Sequence, residues 1–322
     1  MPDIDAILVA VADPQERSQP AVARAAQLAT ASGARLILFH AAFESYLSGR
    51  PFFDSKRLAR SRGEVLARRT DELERLARPL RRHDLSVDVA AVWEEPVYEA
   101  IIRAAIRENA TLVVAGPHGA SGKSSGFSLR HTDWQLVRFC PKPLLLVHAR
   151  PAARAGGVLA ALDPTHANDK PAELDRRLLE WGTVMADALD CTLSVVHSIP
   201  RAAYPMSGDT ALARRSLRAR ARRKLQGEIK RAAVAVARVH VVDGLAESAI
   251  PACADQHRAR LLVMGALSRR GLRRFAIGNT AERIIQSVSC DLLVIKPAAL
   301  RLELGRARTQ SVILPRVSKS AG

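Results

Sequence analysis

The sequence is poor in aromatic residues, which make up 4% of its 322 positions. That is too sparse for the stacking platforms on which single-strand nucleic-acid binders lay their bases. Only four cysteines are present, Cys140, Cys191, Cys253 and Cys290. They are scattered and none forms a C-x-x-C pair, so their spacing indicates neither a disulfide framework nor a zinc site, and a reducing cytoplasm fits. No apolar run is long enough to insert across a bilayer. The start, Met1-Pro-Asp-Ile-Asp5, is acidic and leads directly into an apolar strand, unlike a secretory signal. Also missing are H-E-x-x-H and paired carboxylates in a glycine-bounded loop. The chain is therefore expected to bind rather than to turn over a substrate.

What is abundant is positive charge, a formal +17, within an otherwise ordinary balance of 48% hydrophobic and 25% charged residues. Charge of this size is compatible with a polyanion or membrane-surface partner, or with arginines spread over exposed helix faces. The densest run, Arg214 to Lys224, carries Leu217, Ala221, Leu225 and Ile229 at every fourth position. That spacing predicts an amphipathic helix with a basic outer face, which is a solvated surface or a weak polyanion contact.

The length suits two domains, and the sequence writes one unit twice. Ala6–Asp13 resembles Val158–Asp163, an apolar strand ending in aspartate. Leu36–His40 matches Leu193–His197, Val87–Trp93 matches Ala237–Asp243, and Leu112–Gly116 matches Leu261–Gly265. Cys140–Val147 matches Cys290–Ile295. Helical patterns separate these strands, at about Gln19–Ser32, Lys56–His83, Pro96–Asn109 and Thr132–Phe139, then Pro171–Leu189, Thr210–Ala235, Ala246–His257 and Thr280–Ser287. Short apolar strands alternating with helices predict a doubly wound α/β unit with a parallel sheet covered on both faces, and ligands beyond the carboxyl ends of the strands. The domains are expected at 1–150 and 156–298, with a basic tail at 299–322.

The segment from Met264 to Ile285 is the richest in chemistry. Strand residues 261–264 run into Gly265. A loop with Ser268, Arg269, Arg270, Arg273 and Arg274 follows, and Gly278-Asn279-Thr280 reads as a helix start. Backbone N–H groups and the helix dipole there make an anion site. Asn279 and Glu282 also fit a capping box, which would use the same donors. Asp163 is read as facing a base or ribose, and Asp13, followed by Pro14, as a turn cap. His40 and His197 end equivalent strands without neighbouring ligands and are read as structural. Pro117 to Ser124 imitates a P-loop but lacks its first glycine and a following helix.

Two such units with this loop resemble the universal stress protein family, specifically its tandem UspE-like branch, over about residues 4–297. Gly278-Asn-Thr-Ala-Glu282, Cys290-Asp-Leu-Leu-Val-Ile-Lys-Pro297 and Thr132–Pro141 carry the resemblance. It implies Rossmann-like domains of sheet order 3-2-1-4-5, packed as a pseudo-dimer through their fifth strands. It implies ATP or another adenine nucleotide bound in the second domain by Asp163, Met264, Gly265, Ser268, Arg269, Gly278, Asn279 and Thr280. The family pattern, G-x-x-G, nine residues, then G with Ser, Thr or Asn, has Ser268 in place of the second glycine. In the first half Gly116 and Gly119 fit, but Ser128-Leu129-Arg130 occupies the third glycine's place, so that site is expected to be degenerate. The implied role is a cytoplasmic, ligand-binding regulator of the stress response. The alternatives are a slow, autophosphorylating ATPase and a polyanion- or lipid-binding adaptor.

Overall fold

The computed structural model describes residues 1–43, 55–116, 129, 131–148, 155–165, 172–204, 210–266 and 277–297. The first half runs β1 (Ala6–Ala10), α1 (Pro20–Ser32), β2 (Arg35–Ala42), α2 (Ser55–Arg81), β3 (Val87–Trp93), α3 (Val97–Arg107), β4 (Leu112–Ala115), α4 (His131–Phe139) and β5 (Leu144–Leu146). The second runs β6 (Val158–Ala161), α5 (Ala172–Ala188), β7 (Leu193–Ile199), α6 (Thr210–Ala232), β8 (Arg238–Asp243), α7 (Ala246–Gln256), β9 (Leu261–Gly265), α8 (Asn279–Ser287) and β10 (Asp291–Ile295).

The inner strands are buried along their whole length, which is why they read as continuous apolar runs and not as alternating ones. Each half forms a parallel sheet of the expected order, β3-β2-β1-β4-β5 and β8-β7-β6-β9-β10. Helices α1, α2, α5 and α6 cover one face, over a core that includes Leu28, Leu66, Leu178 and Leu225. Helices α3, α4, α7 and α8 cover the other, over Ile101, Leu136, Ile250 and Ile284. The halves keep matching backbone detail: α3 and α7 are both followed by a non-glycine residue in the left-handed region, Asn109 (φ 52°) and Arg258 (φ 50°).

The halves join edge to edge. Strands β5 and β10 pair antiparallel, with Leu144 opposite Val294, Leu145 opposite Leu293 and Leu146 opposite Leu292, giving one ten-stranded sheet. Pairing removes two apolar edges that would otherwise template aggregation. Polar ties flank this seam. Arg24 of α1 bonds Asp291 of β10 at 2.7 Å, and the His148 N–H donates to the same carboxylate at 2.9 Å. Burial nevertheless pushes the Asp291 carboxyl above its ordinary pKa, against the pull of Arg24. The buried Lys296 ammonium donates to the Cys140 carbonyl at 2.8 Å, and Arg138 reaches Glu282 at 3.2 Å.

The outer edges, β3 and β8, are covered by arginines. Arg81 donates to the Val87 carbonyl at 2.9 Å; Arg218 and Arg222 of α6 donate to the Val241 and Val239 carbonyls at 2.6 and 3.0 Å. Part of the basic run therefore blunts a sheet edge and does not project freely into solvent. Its apolar stripe forms as expected: Ala221 and Leu225 are buried, and Leu217 and Ile229 pack against the core. Among the described residues, no helix is long and apolar enough to cross a membrane.

Candidate functional site

The site is built where the second half's chain order reverses, between β6 and β9. The two strands pair as Val158–Leu261, Leu159–Leu262 and Ala160–Val263, and then separate. Beyond them stand Asp163, Gly265 and the start of α8, as expected for a crevice outside the carboxyl ends of parallel strands.

At α8 the chain enters through Ile277, which is buried, and Gly278, whose φ of −68° and ψ of 142° make it the N-cap. Asn279 is therefore the first helical residue and not the cap, which corrects the capping-box expectation. A box needs its polar side chain on the extended residue before the helix, and glycine holds that place. Glu282 does not fold back; it turns across the seam to Arg138. No side chain of the described residues caps the helix. The first N–H groups of Asn279, Thr280 and Ala281 thus lack intrahelical acceptors and face the crevice end of the dipole.

Asp163 sits one residue beyond Leu162, whose carbonyl accepts from His197 Nδ1 at 3.0 Å. Its Oδ1 accepts from the Thr165 amide and hydroxyl at 3.3 and 2.6 Å. Among the described residues Oδ2 makes no hydrogen bond. The Asp163 amide donates to the buried Asp175 of α5 at 3.2 Å, a support the sequence reading missed. An acidic residue in the first turn of the helix after β6 was the available signal.

The other expected residues are placed unevenly. Met264 has only 4% exposure, with its side chain in the core, so only its main chain could meet a ligand. Gly265 ends β9, and a Cβ there would lie 2.7 Å from Leu174 Cδ2 of α5. A side chain there would oblige the buried Leu174 to shift, so helix–strand packing favours glycine at this position. Gly116, its counterpart, has no such neighbour, since a Cβ would meet only Ala21 Cβ at 3.6 Å. Ser268, Arg269 and the loop arginines lie outside the described residues, as do Gly119, Ser128 and the P-loop-like segment.

Register corrects three of the sequence matches. Ile7 faces Leu112 as Val158 faces Leu261, so Ala12, not Asp13, corresponds to Asp163. The histidines agree, because His40 Nδ1 donates to Val11, the counterpart of Leu162, at 2.8 Å. Asp13 lies one residue further out, where its Oδ1 accepts from the Gln15 amide at 2.9 Å, a turn cap as expected. Likewise His131 opens α4 as Asn279 opens α8, so Arg130, not Ser128, stands at the place of Gly278. By the same count Lys142, not Cys140, stands at the place of Cys290, since Leu144 faces Val113 as Leu292 faces Leu262. The first turn of α4 also carries a fully buried acid, Asp133, where α8 has Ala281.

Residues 4–148 and 167–296 match the model of the universal stress protein family. The chain is similar to universal stress protein E of Photorhabdus laumondii, 26% identical over 94% of this chain and 98% of that protein. It is 27% identical to universal stress protein E of Escherichia coli K12, over 90% and 93%. Its fold is similar to that of a solved, functionally unknown protein of Pseudomonas aeruginosa PAO1, with a TM-score of 0.69, 25% identity and coverage of 92% and 94%.

Proposed function

Since the chain belongs to the universal stress protein family, we propose that it is a regulator of the stress response that binds one adenine nucleotide per chain, ATP in the first instance, without turning it over. The observation that carries this reading is the uncapped start of α8 at Gly278, opening onto the crevice where β6 and β9 part. The residues fit the ligand. The amides of Asn279 and Thr280 would take phosphate oxygens, and Asp163 Oδ2 would accept from the adenine amino group or a ribose hydroxyl. Gly265, Ser268 and Arg269 belong to the same proposed cradle, the last as a counter-charge. The first half offers less, with Arg130 at the glycine position and Asp133 placing a carboxylate in the helix start.

Calorimetry with ATP, alongside a turnover assay, tests the reading. One equivalent should bind without hydrolysis. Gly278→Asp should cost on the order of 2 kcal/mol of affinity or more, because it sets a carboxylate against the phosphate. Two equivalents, sustained hydrolysis abolished by Gly278→Asp, or no binding at all would overturn it.

A further inference from the structure

On the far side of the second half, three soft donors converge that the crevice does not use. His240 projects from β8 toward α7. Cys253 and His257 lie four residues apart at the end of α7, so their side chains share one face of the helix. The donor atoms of all three lie within 4.8 Å of one another, and the two imidazole rings stand 4.1 Å apart. We propose that His240, Cys253 and His257 form a site for a borderline-soft divalent cation of the zinc class, with the fourth position taken by water or an added ligand.

The geometry suits the chemistry. A tetrahedral zinc with bonds of about 2.0–2.3 Å holds its donors roughly 3.5 Å apart, so the side chains need close by only about 1 Å. Two imidazoles and a thiolate are the donor types this cation prefers. His257 is the C-cap of α7, where the negative end of the helix dipole favours a cation. Burial, His257 and nearby Arg238 and Arg222 hold the His240 imidazole below its ordinary pKa, which leaves a ring nitrogen free to coordinate. Burial pushes the Cys253 thiol up to about 11, so loading must expel its proton, one per cation bound.

The first half supplies an internal control. Register and helix caps place Ala90, Ala104 and Glu108 at the positions of His240, Cys253 and His257. Glu108 is engaged with Arg35, which also pairs with Asp88 at 2.7 Å. The donor set therefore belongs to the second half alone and is not demanded by the fold.

The test uses the full chain, stripped with chelator and titrated with Co²⁺ as a spectroscopic stand-in. One equivalent should give tetrahedral d–d absorption with a thiolate-to-cobalt charge-transfer band, and Zn²⁺ should displace it. Cys253→Ala should lose the charge-transfer band. His240→Ala and His257→Gln should each weaken binding by more than the roughly 10–100-fold typical of outer-shell changes. X-ray absorption of the zinc-loaded unmodified protein, which needs no variant, should show one sulfur in the coordination shell. No binding, a sulfur-free shell, or a charge-transfer band that survives Cys253→Ala would overturn the proposal.

Discussion

Ala10 pairs with Ala115 in the first half, whereas Ala161 and Met264, at the same places in the second, do not pair with each other. The first crevice is thus closed one residue further along. Its aspartate is displaced outward by one position, and its helix start carries a buried acid. The fold treats both halves alike, with the same strand order, the same histidine–carbonyl tie and the same turn after the third helix. Sheet and core tolerate little change because many contacts depend on every residue. A crevice edge is set by two or three positions and can drift without unfolding anything.

The seam should be where the halves are most equal, and it carries the largest expected effect. Leu145 and Leu293 face one another and are buried to within 1%. Leu145→Asp and Leu293→Asp should each cost about 4 kcal/mol or more, as uncompensated buried charges do. Denaturation of each variant tests this. A markedly smaller loss for one of them would mean that the halves do not share a common core.

Lys296 breaks that equality, since its counterpart in the first half is His148. Burial lowers the Lys296 ammonium from its ordinary 10.5 to about 8. Between those values the unfolded chain holds a proton that the folded chain has released, so stability rises with pH. Below about 8 the full cost of the buried charge is present. Relative to Lys296→Met, the unmodified protein should gain on the order of 3 kcal/mol between pH 8 and 10.5. Chemical denaturation of both at the two ends of that window measures the difference. A gain well under one would show that the ammonium is solvated.

A smaller pair of effects separates the aspartates. Asp13→Ala and Asp163→Ala should each lose about 1 kcal/mol of stability with their turn hydrogen bonds. Only Asp163→Ala should also weaken ATP binding, and equal weakening by both would erase the distinction between the crevices. The smallest effect belongs to the basic helix. Arg215, Arg220 and Arg223 are exposed, so changing them to Gln should shift stability by no more than about 0.5 kcal/mol. If they contact polyanions, salt-sensitive nucleic-acid retention should fall with them. Unchanged retention would leave this helix only its role along β8.

The fold was legible because the repeat is written in strand after strand, and an apolar run between helical periods has one economical arrangement. Register was not legible to the residue. Asp13 and Asp163 both follow an apolar strand and precede proline, and only the pairing with β4 and β9 shows that they are not equivalents. The capping box failed for a related reason. Gly278 and Asn279 are both acceptable caps, and the φ and ψ of Gly278 decided between them. His240 stayed unseen beside Cys253 and His257 because the strand and the helix are separated in sequence, and spacing rules describe only what is near along the chain.

The antiparallel meeting of β5 and β10 has a geometric corollary. All strands of one half run one way and all strands of the other run back, so the two crevices open at opposite ends of the sheet. No single small ligand can bridge them. A molecule seated beside Gly278 leaves the far end bare for some other contact, and mutations could wear away one pole while the other kept its chemistry. The duplication thus made a two-ended object, each end free to change without the other.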